Sequence, residues 1–381
     1  MGLVERREKY AAIEQRRGRP LIVYATSTRH NVQAMMAADA VREFIDQLDA
    51  IPAAQRKVDV MIHSAGGDAL TAWKLMSLMR ERFDDIGVLV PSMAFSAATM
   101  FSLGANEIVM HPHASLGPID PQITANSNGQ NRQFSYEEVG AFLRFLKKEV
   151  GLTDQRHIAT IVEKLLSTID PLSVGFAHRA SELSTDIGER LLKLHMTRPA
   201  EHTRNPRSIA ELLNKSFFAH GDAVSRRHAT ELGLNVLAPD AELEGLVWGA
   251  FLEIEETMRL REPFNALEIF MADKDAAAQL QTPAALQLPP NTPEPMVNSA
   301  WSVILNTAVQ RSQTQSSPEV PYEIVLAIVE SRNLVRRCVQ RGTVSVTRLG
   351  QDLKVGVLST QSGWESVQMS SDGTASGNVS I

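Results

Sequence analysis

Cysteine is nearly absent from this 381-residue chain, where Cys338 stands alone. That excludes an intrachain disulfide framework, and nothing calls for an oxidising compartment. Aromatic residues make up only 6%. No apolar run approaches the ~20 residues that a membrane-spanning helix requires; the longest, such as PLIVYA and IGVLVP, are strand-sized. The first twenty residues, MGLVERREKYAAIEQRRGRP, are charged throughout and lack a signal-peptide core, and Arg6 stands where a myristoylation signal carries a small hydroxyl residue. Positive charge is not in excess either: 38 Lys and Arg against 44 Asp and Glu leave a net charge of -6. General attraction to nucleic acid or anionic lipid is therefore not expected. The expectation is a cytoplasmic protein with no nucleic-acid partner and no integral membrane segment.

What is present is enough apolar residue, 44%, for a substantial core. From Arg19 to about Val236 short apolar runs alternate with longer amphipathic stretches, the pattern of an α/β fold. Strands are predicted at Pro20 to Thr26, Val58 to His63, Gly87 to Val90 and Glu107 to Met110. Helices are predicted at Asn31 to Leu48, Ala69 to Phe83, Ser96 to Ala105, Tyr136 to Val150, Thr153 to Ser167, Pro171 to Met196, Ser208 to Lys215 and Val224 to Leu232. Ile123 to Asn131 reads as a polar, flexible loop. Beyond residue 240 the character changes. Leu243 to Arg261 is an amphipathic helix, 281–295 a Pro-rich linker, Trp301 to Arg311 and Tyr322 to Val335 helices, Gly342 to Leu358 a small hairpin, and Ser370 to Ile381 a disordered tail. The divisions expected are a main domain over 1–240, a helical extension over 241–280, the linker, and a small C-terminal region over 296–381.

Two strand-to-helix junctions follow one another: Ser64-Ala65-Gly66-Gly67-Asp68 and Ser92-Met93-Ala94-Phe95-Ser96-Ala97-Ala98. Consecutive βαβ turns lie side by side at one end of a sheet. Glycines there leave N–H groups exposed, and a serine at a helix start beside them gives an oxyanion site next to a nucleophile. The plain alternative is a turn and an N-cap.

Three stretches, IHSAGGDALTAWKLMSLMRER, VPSMAFSAATMFSLGANEIVMHPHASLGPIDPQ and LLNKSFFAHGDAVSRRHATELGLNV, resemble in order and spacing the serine dehydrogenase proteinase family, a branch of the signal peptide peptidase A superfamily. The resemblance implies a Clp/crotonase-type α/β spiral of ββα units. It puts the nucleophile on Ser96 and the oxyanion N–H groups on Gly66, Gly67 and Ala97. Relatives usually carry glycine after the serine; the alanines here still offer a backbone N–H. It also implies a homo-oligomer acting on peptide or protein.

A serine hydroxyl needs a base, and a lysine serves only when burial lowers its pKa. Lys147 and Lys148 lie in the region where signal peptide peptidase A relatives carry that lysine, although most paired lysines on such a helix are solvated surface residues. No histidine stands where the Clp proteolytic subunit has one. His111 and His113 come early and read as loop residues, Asp120 either orients a base or holds the GPIDPQ loop, and His220 with Asp222 reads as a helix cap. No metal-ligand spacing, phosphate loop or dinucleotide fingerprint is present, so neither metal nor cofactor is expected. The leading function is an ATP-independent serine endopeptidase working through an acyl-enzyme on Ser96. The alternative is an inactive Clp-fold scaffold that binds peptides or partners. Acyl-CoA chemistry of the crotonase kind comes last, since a serine nucleophile is foreign to it.

Overall fold

A computed structural model describes residues 3–32, 34–127, 130–167, 169–197, 203–215, 222–280, 288, 292–314, 318–349, 352–369 and 375–377. His220 and most of the expected linker and tail lie outside them. Helix α1 (Leu3–Arg17) precedes β1 (Leu21–Thr26), α2 (Ala40–Asp49), β2 (Lys57–His63), α3 (Ala69–Arg80), β3 (Asp85–Val90), β4 (Met93–Ala94), α4 (Ala97–Leu103), β5 (Glu107–Met110) and β6 (Ser115–Leu116). A hairpin, β7 (Ile123–Ser127) and β8 (Gln130–Phe134), leads to α5 (Tyr136–Lys148), α6 (Gln155–Leu166), α7 (Pro171–Lys193) and α8 (Pro206–Lys215). Then come β9 (Val224–Ser225), α9 (Arg226–Glu231), β10 (Val236–Leu237), α10 (Ala241–Met258), α11 (Ala266–Ala272), α12 (Lys274–Gln279) and α13 (Val297–Thr314). Four strands end the chain: β11 (Glu319–Glu330), β12 (Val335–Leu349), β13 (Asp352–Met369) and β14 (Ala375–Gly377).

Among the described residues nine strands form one sheet in the order β10-β5-β3-β2-β1-β11-β12-β13-β14. The first five are parallel, and from β11 onward each strand joins its neighbour antiparallel. The register lines up Ile22, Val60, Val88 and Ile108 across one face and Val23, Met61, Leu89 and Val109 across the other. The first row packs in the core that includes Phe44, Met76, Phe101 and Leu191 from α2, α3, α4 and α7; the second packs under α1 and α10 through Tyr10, Ile13, Val247 and Ile254. Strands covered on both faces need apolar side chains on both, which is why β1 and β3 read as unbroken runs. Burying each Val, Leu or Ile contributes about 1.5–3 kcal/mol.

Local chemistry sets the helix ends. The Asp68 carboxylate accepts the Leu70 and Thr71 N–H groups at the start of α3, Ser135 and Glu138 form a capping box on α5, and Asp170 caps α7 ahead of Pro171.

Five expectations are corrected. The helix predicted from Asn31 begins only at Ala40, because Met36 is held in a strand-like bridge to Gly67. Of the expected loop, Ile123 to Ser127 is β7 and Gln130 and Asn131 open β8, the two strands pairing antiparallel, and Val224 and Ser225 are strand. Tyr322 to Val335 is not helix: Tyr322 to Glu330 lies in β11, the antiparallel neighbour of β1, and a turn leads from it to β12 at Val335. The small hairpin over Gly342 to Leu358 is part of β12 and β13, which run far longer. Among the described residues no helix is long and apolar enough to cross a membrane.

Candidate active site

β2 and β3 are adjacent and parallel, so the turns leaving their carboxyl ends meet. The segment after β2 is gripped from both sides. On one side Met36 N–H donates to the Gly66 carbonyl at 2.7 Å and Asp68 N–H to the Met36 carbonyl at 2.9 Å. On the other, Ser64 N–H donates to the Met93 carbonyl at 3.1 Å and Phe95 N–H to the Ser64 carbonyl at 3.0 Å. Ser64 to Asp68 thus runs between Met36 and the stretch that ends at Ser96.

Gly66 and Gly67 have φ of +113° and +150°, backbone that a side chain would strain. A Cβ on Gly67 would run into the Met36 backbone. In the parallel bridge to Met36 the bonds are made by the carbonyl of Gly66 and the amide of Asp68, which turns the Gly67 N–H away from Met36. Gly66 behaves otherwise: its N–H donates to Ser64 Oγ at 3.0 Å.

Ser96 has φ 51° and ψ -117°. A non-glycine residue in such a conformation costs about 1–3 kcal/mol and persists only where its surroundings enforce it. Here Phe95 N–H is fixed on Ser64, Met100 N–H donates to the Ser96 carbonyl at 3.0 Å, and the Thr99 hydroxyl donates to the Ala94 carbonyl at 2.6 Å while accepting Gly117 N–H at 3.0 Å. The half-buried Ser96 precedes α4, so Ala97 N–H is a first-turn donor without an intrahelical acceptor. Backbone amides of this kind, from the Gly66–Gly67 turn and from Ala97, are the type of donor that could hold a developing oxyanion.

The structure brings Gly66, Gly67, Ser96 and Ala97 together. Lys147 and Lys148 are exposed in the last turn of α5, and among the described residues no side chain hydrogen-bonds Ser96 Oγ. Asp120 is half-buried and accepts Gln122 Nε2 at 2.9 Å. The loop it sits in is anchored by Ile119, whose N–H donates to the Leu213 carbonyl at 3.0 Å and whose carbonyl accepts the Ser184 hydroxyl. His111 is buried, with its ring stacked on Trp248 at 5.0 Å and His113 edge-on at 4.7 Å. Burial, with His113 beside it, holds the His111 pKa below the ordinary histidine value. Among the described residues no group of three or more His, Cys, Asp or Glu could hold a metal ion.

Sequence reading missed Ser64, Thr26 and Met36. Ser64 stands in the motif just after β2, but its Thr26 partner lies in another strand, out of reach of a local reading.

Residues 32–131 match the ClpP-like SDH-type serine proteinase family. Two uncharacterized proteins of Methanocaldococcus jannaschii are 37% identical over 78 residues and 36% identical over 66, which is 20% and 17% of this chain. The chain spans only 27% and 23% of the length of those relatives. Among solved structures, a serine-to-alanine variant of the 1510-N membrane-bound stomatin-specific protease is 14% identical, covering 59% of this chain and 83% of that one with a TM-score of 0.34. A probable enoyl-CoA hydratase/isomerase from Mycobacterium abscessus is 12% identical, covering 77% and 89% with a TM-score of 0.26. The mixed α/β architecture accords with the Clp/crotonase-type fold expected from the sequence. The stretch that carries Gly66, Gly67, Ser96 and Ala97 is thus the part of this chain that matches the ClpP-like SDH-type serine proteinase family.

Proposed function

We propose that the protein is an ATP-independent serine endopeptidase that cleaves extended peptide or unfolded polypeptide. The observation carrying this reading is the strained Ser96, packed against Gly66 of the Gly66–Gly67 turn and followed by the first-turn amide of Ala97. Ser96 Oγ attacks the scissile carbonyl carbon and passes its proton to a base. The oxyanion rests on the two N–H groups, and collapse to the acyl-enzyme releases the amine, which takes the proton. Water then attacks the ester, and Ser96 regains its proton. Lys147 or Lys148 is the base this reading calls on, and Asp120 the orienting group. Each lysine must be taken out of solvent first, since a lysine serves as a base where burial disfavours its charged form. A homo-oligomer or bound substrate covering the end of α5 would supply that, and a cytoplasmic setting suits such substrates.

A second reading, a Clp-fold scaffold without turnover, is favoured by the exposure of both lysines. Intact-mass spectrometry after fluorophosphonate treatment, run beside casein digestion, separates the two. The peptidase reading expects one adduct on wild type, lost together with proteolysis in Ser96→Ala. Absence of both adduct and cleavage in wild type would leave the scaffold.

A further inference from the structure

We infer that Ser64 is a positioning residue that sets the Gly66–Gly67 peptide, an inference that builds on the acyl-enzyme reading of Ser96. Ser64 is fully buried at the end of β2. Its Oγ accepts the Thr26 hydroxyl at 2.7 Å and the Gly66 N–H at 3.0 Å, and donates to the Gly66 carbonyl at 3.3 Å. Thr26 is itself fully buried at the end of β1, so the hydroxyl pair ties the ends of two sheet strands to the turn.

The consequence is a division of labour between neighbouring amides. Gly66 lies against Ser96, and its N–H would be the nearer candidate to face a substrate oxygen; Ser64 removes it from that role by binding it inward. Gly66 is then held through both of its backbone polar groups, its amide by Ser64 and its carbonyl by Met36, and its carbonyl begins the Gly66–Gly67 peptide. With that carbonyl held on the Met36 side, the Gly67 N–H, trans to it across a planar peptide, must face the opposite way. The oxyanion donors are accordingly Gly67 and Ala97, and Ser64 touches neither substrate nor reacting atoms.

Without the hydroxyl, Gly66 N–H is left buried with no acceptor, and the turn gains the freedom that two glycines allow. Two measurements test this in Ser64→Ala and in Thr26→Val, which keeps the Ser64 hydroxyl but removes its donor. One is amide exchange of Gly66 in protein labelled with 15N-glycine; the other is the rate of Ser96 phosphonylation by a fluorophosphonate. Thermal unfolding reports whether each variant is folded. In Ser64→Ala, Gly66 exchange should quicken at least about tenfold and phosphonylation slow about a hundredfold, the scale of losing one oxyanion donor. Thr26→Val should change both in the same direction by a smaller factor, and it decides the matter should Ser64→Ala not fold. Wild-type exchange and labelling in the folded variants would overturn the inference. If wild type itself takes no label, the peptidase reading fails by itself, while Gly66 exchange still decides whether Ser64 sets the turn.

Discussion

Gly66 and Ser96 are packed so closely that a Cβ on Gly66 would stand 2.6 Å from Ser96 Cβ and 2.8 Å from the Phe95 carbonyl oxygen. Neither neighbour can retreat cheaply: Phe95 is pinned by its N–H bond to Ser64, and Ser96 already holds a positive φ. Gly66→Ala should therefore strain the turn through φ and displace the proposed nucleophile together. The expected result is at least about a hundredfold loss in fluorophosphonate labelling, with a lowered thermal midpoint. Labelling at the wild-type rate would show that the turn tolerates the displacement.

Helix α1 is fastened to β11 by a buried ion pair. Arg6 Nε stands 2.5 Å from Glu330 Oε1 and Nη2 3.0 Å from Oε2, while the Tyr10 hydroxyl donates to Oε1 at 2.6 Å. Arg6→Ala leaves the Glu330 carboxylate buried with Tyr10 as its remaining partner in that trio, which should cost about 3–5 kcal/mol in urea unfolding. Arg6→Met with Glu330→Leu, which removes both charges, should recover much of that loss.

His63 gives stability a pH dependence. It is 3% exposed and lies against Phe251, with Thr28 Oγ1 3.0 Å from Nε2. Burial lowers its pKa from 6.5 to about 4. Because the folded value lies below the unfolded one, the unfolded chain binds the proton first. Stability is then complete above pH 6.5 and declines as pH falls toward 4, by about 3 kcal/mol over that window. Urea titrations at pH 7, 5.5 and 4.5 should show this decline, and His63→Phe should flatten it.

Lys147 and Lys148 are exposed in the last turn of α5, so replacing both with alanine should leave stability within about 0.5 kcal/mol of wild type. Any fall in Ser96 labelling in that double variant would then be chemical in origin. Unchanged labelling would remove both from consideration as the base.

The core strands were legible in the sequence because β1, β2, β3 and β5 are short apolar runs between turn residues, a signal contained within each run. The serine and glycine turns were legible for the same reason. β11 was not. Its inner half, Leu326 to Glu330, is covered on both faces beside β1, so its apolar residues lose the alternation that marks a half-exposed strand and imitate helical spacing. Met36 likewise carries no local mark of the bridge it makes with a turn thirty-one residues later. The Gly66 amide looked available because glycine in a turn usually is; only the placement of β2 puts Ser64 Oγ beneath it.

The place of β11 also bears on how the chain is made. A ribosome delivers β1 early, yet the neighbour that closes one side of it spans residues 319–330. For some three hundred residues of synthesis the nascent β1 has an open edge on that side, and the Arg6 guanidinium waits for a carboxylate still to be translated. Until then that rim is a site where a neighbouring nascent strand could add.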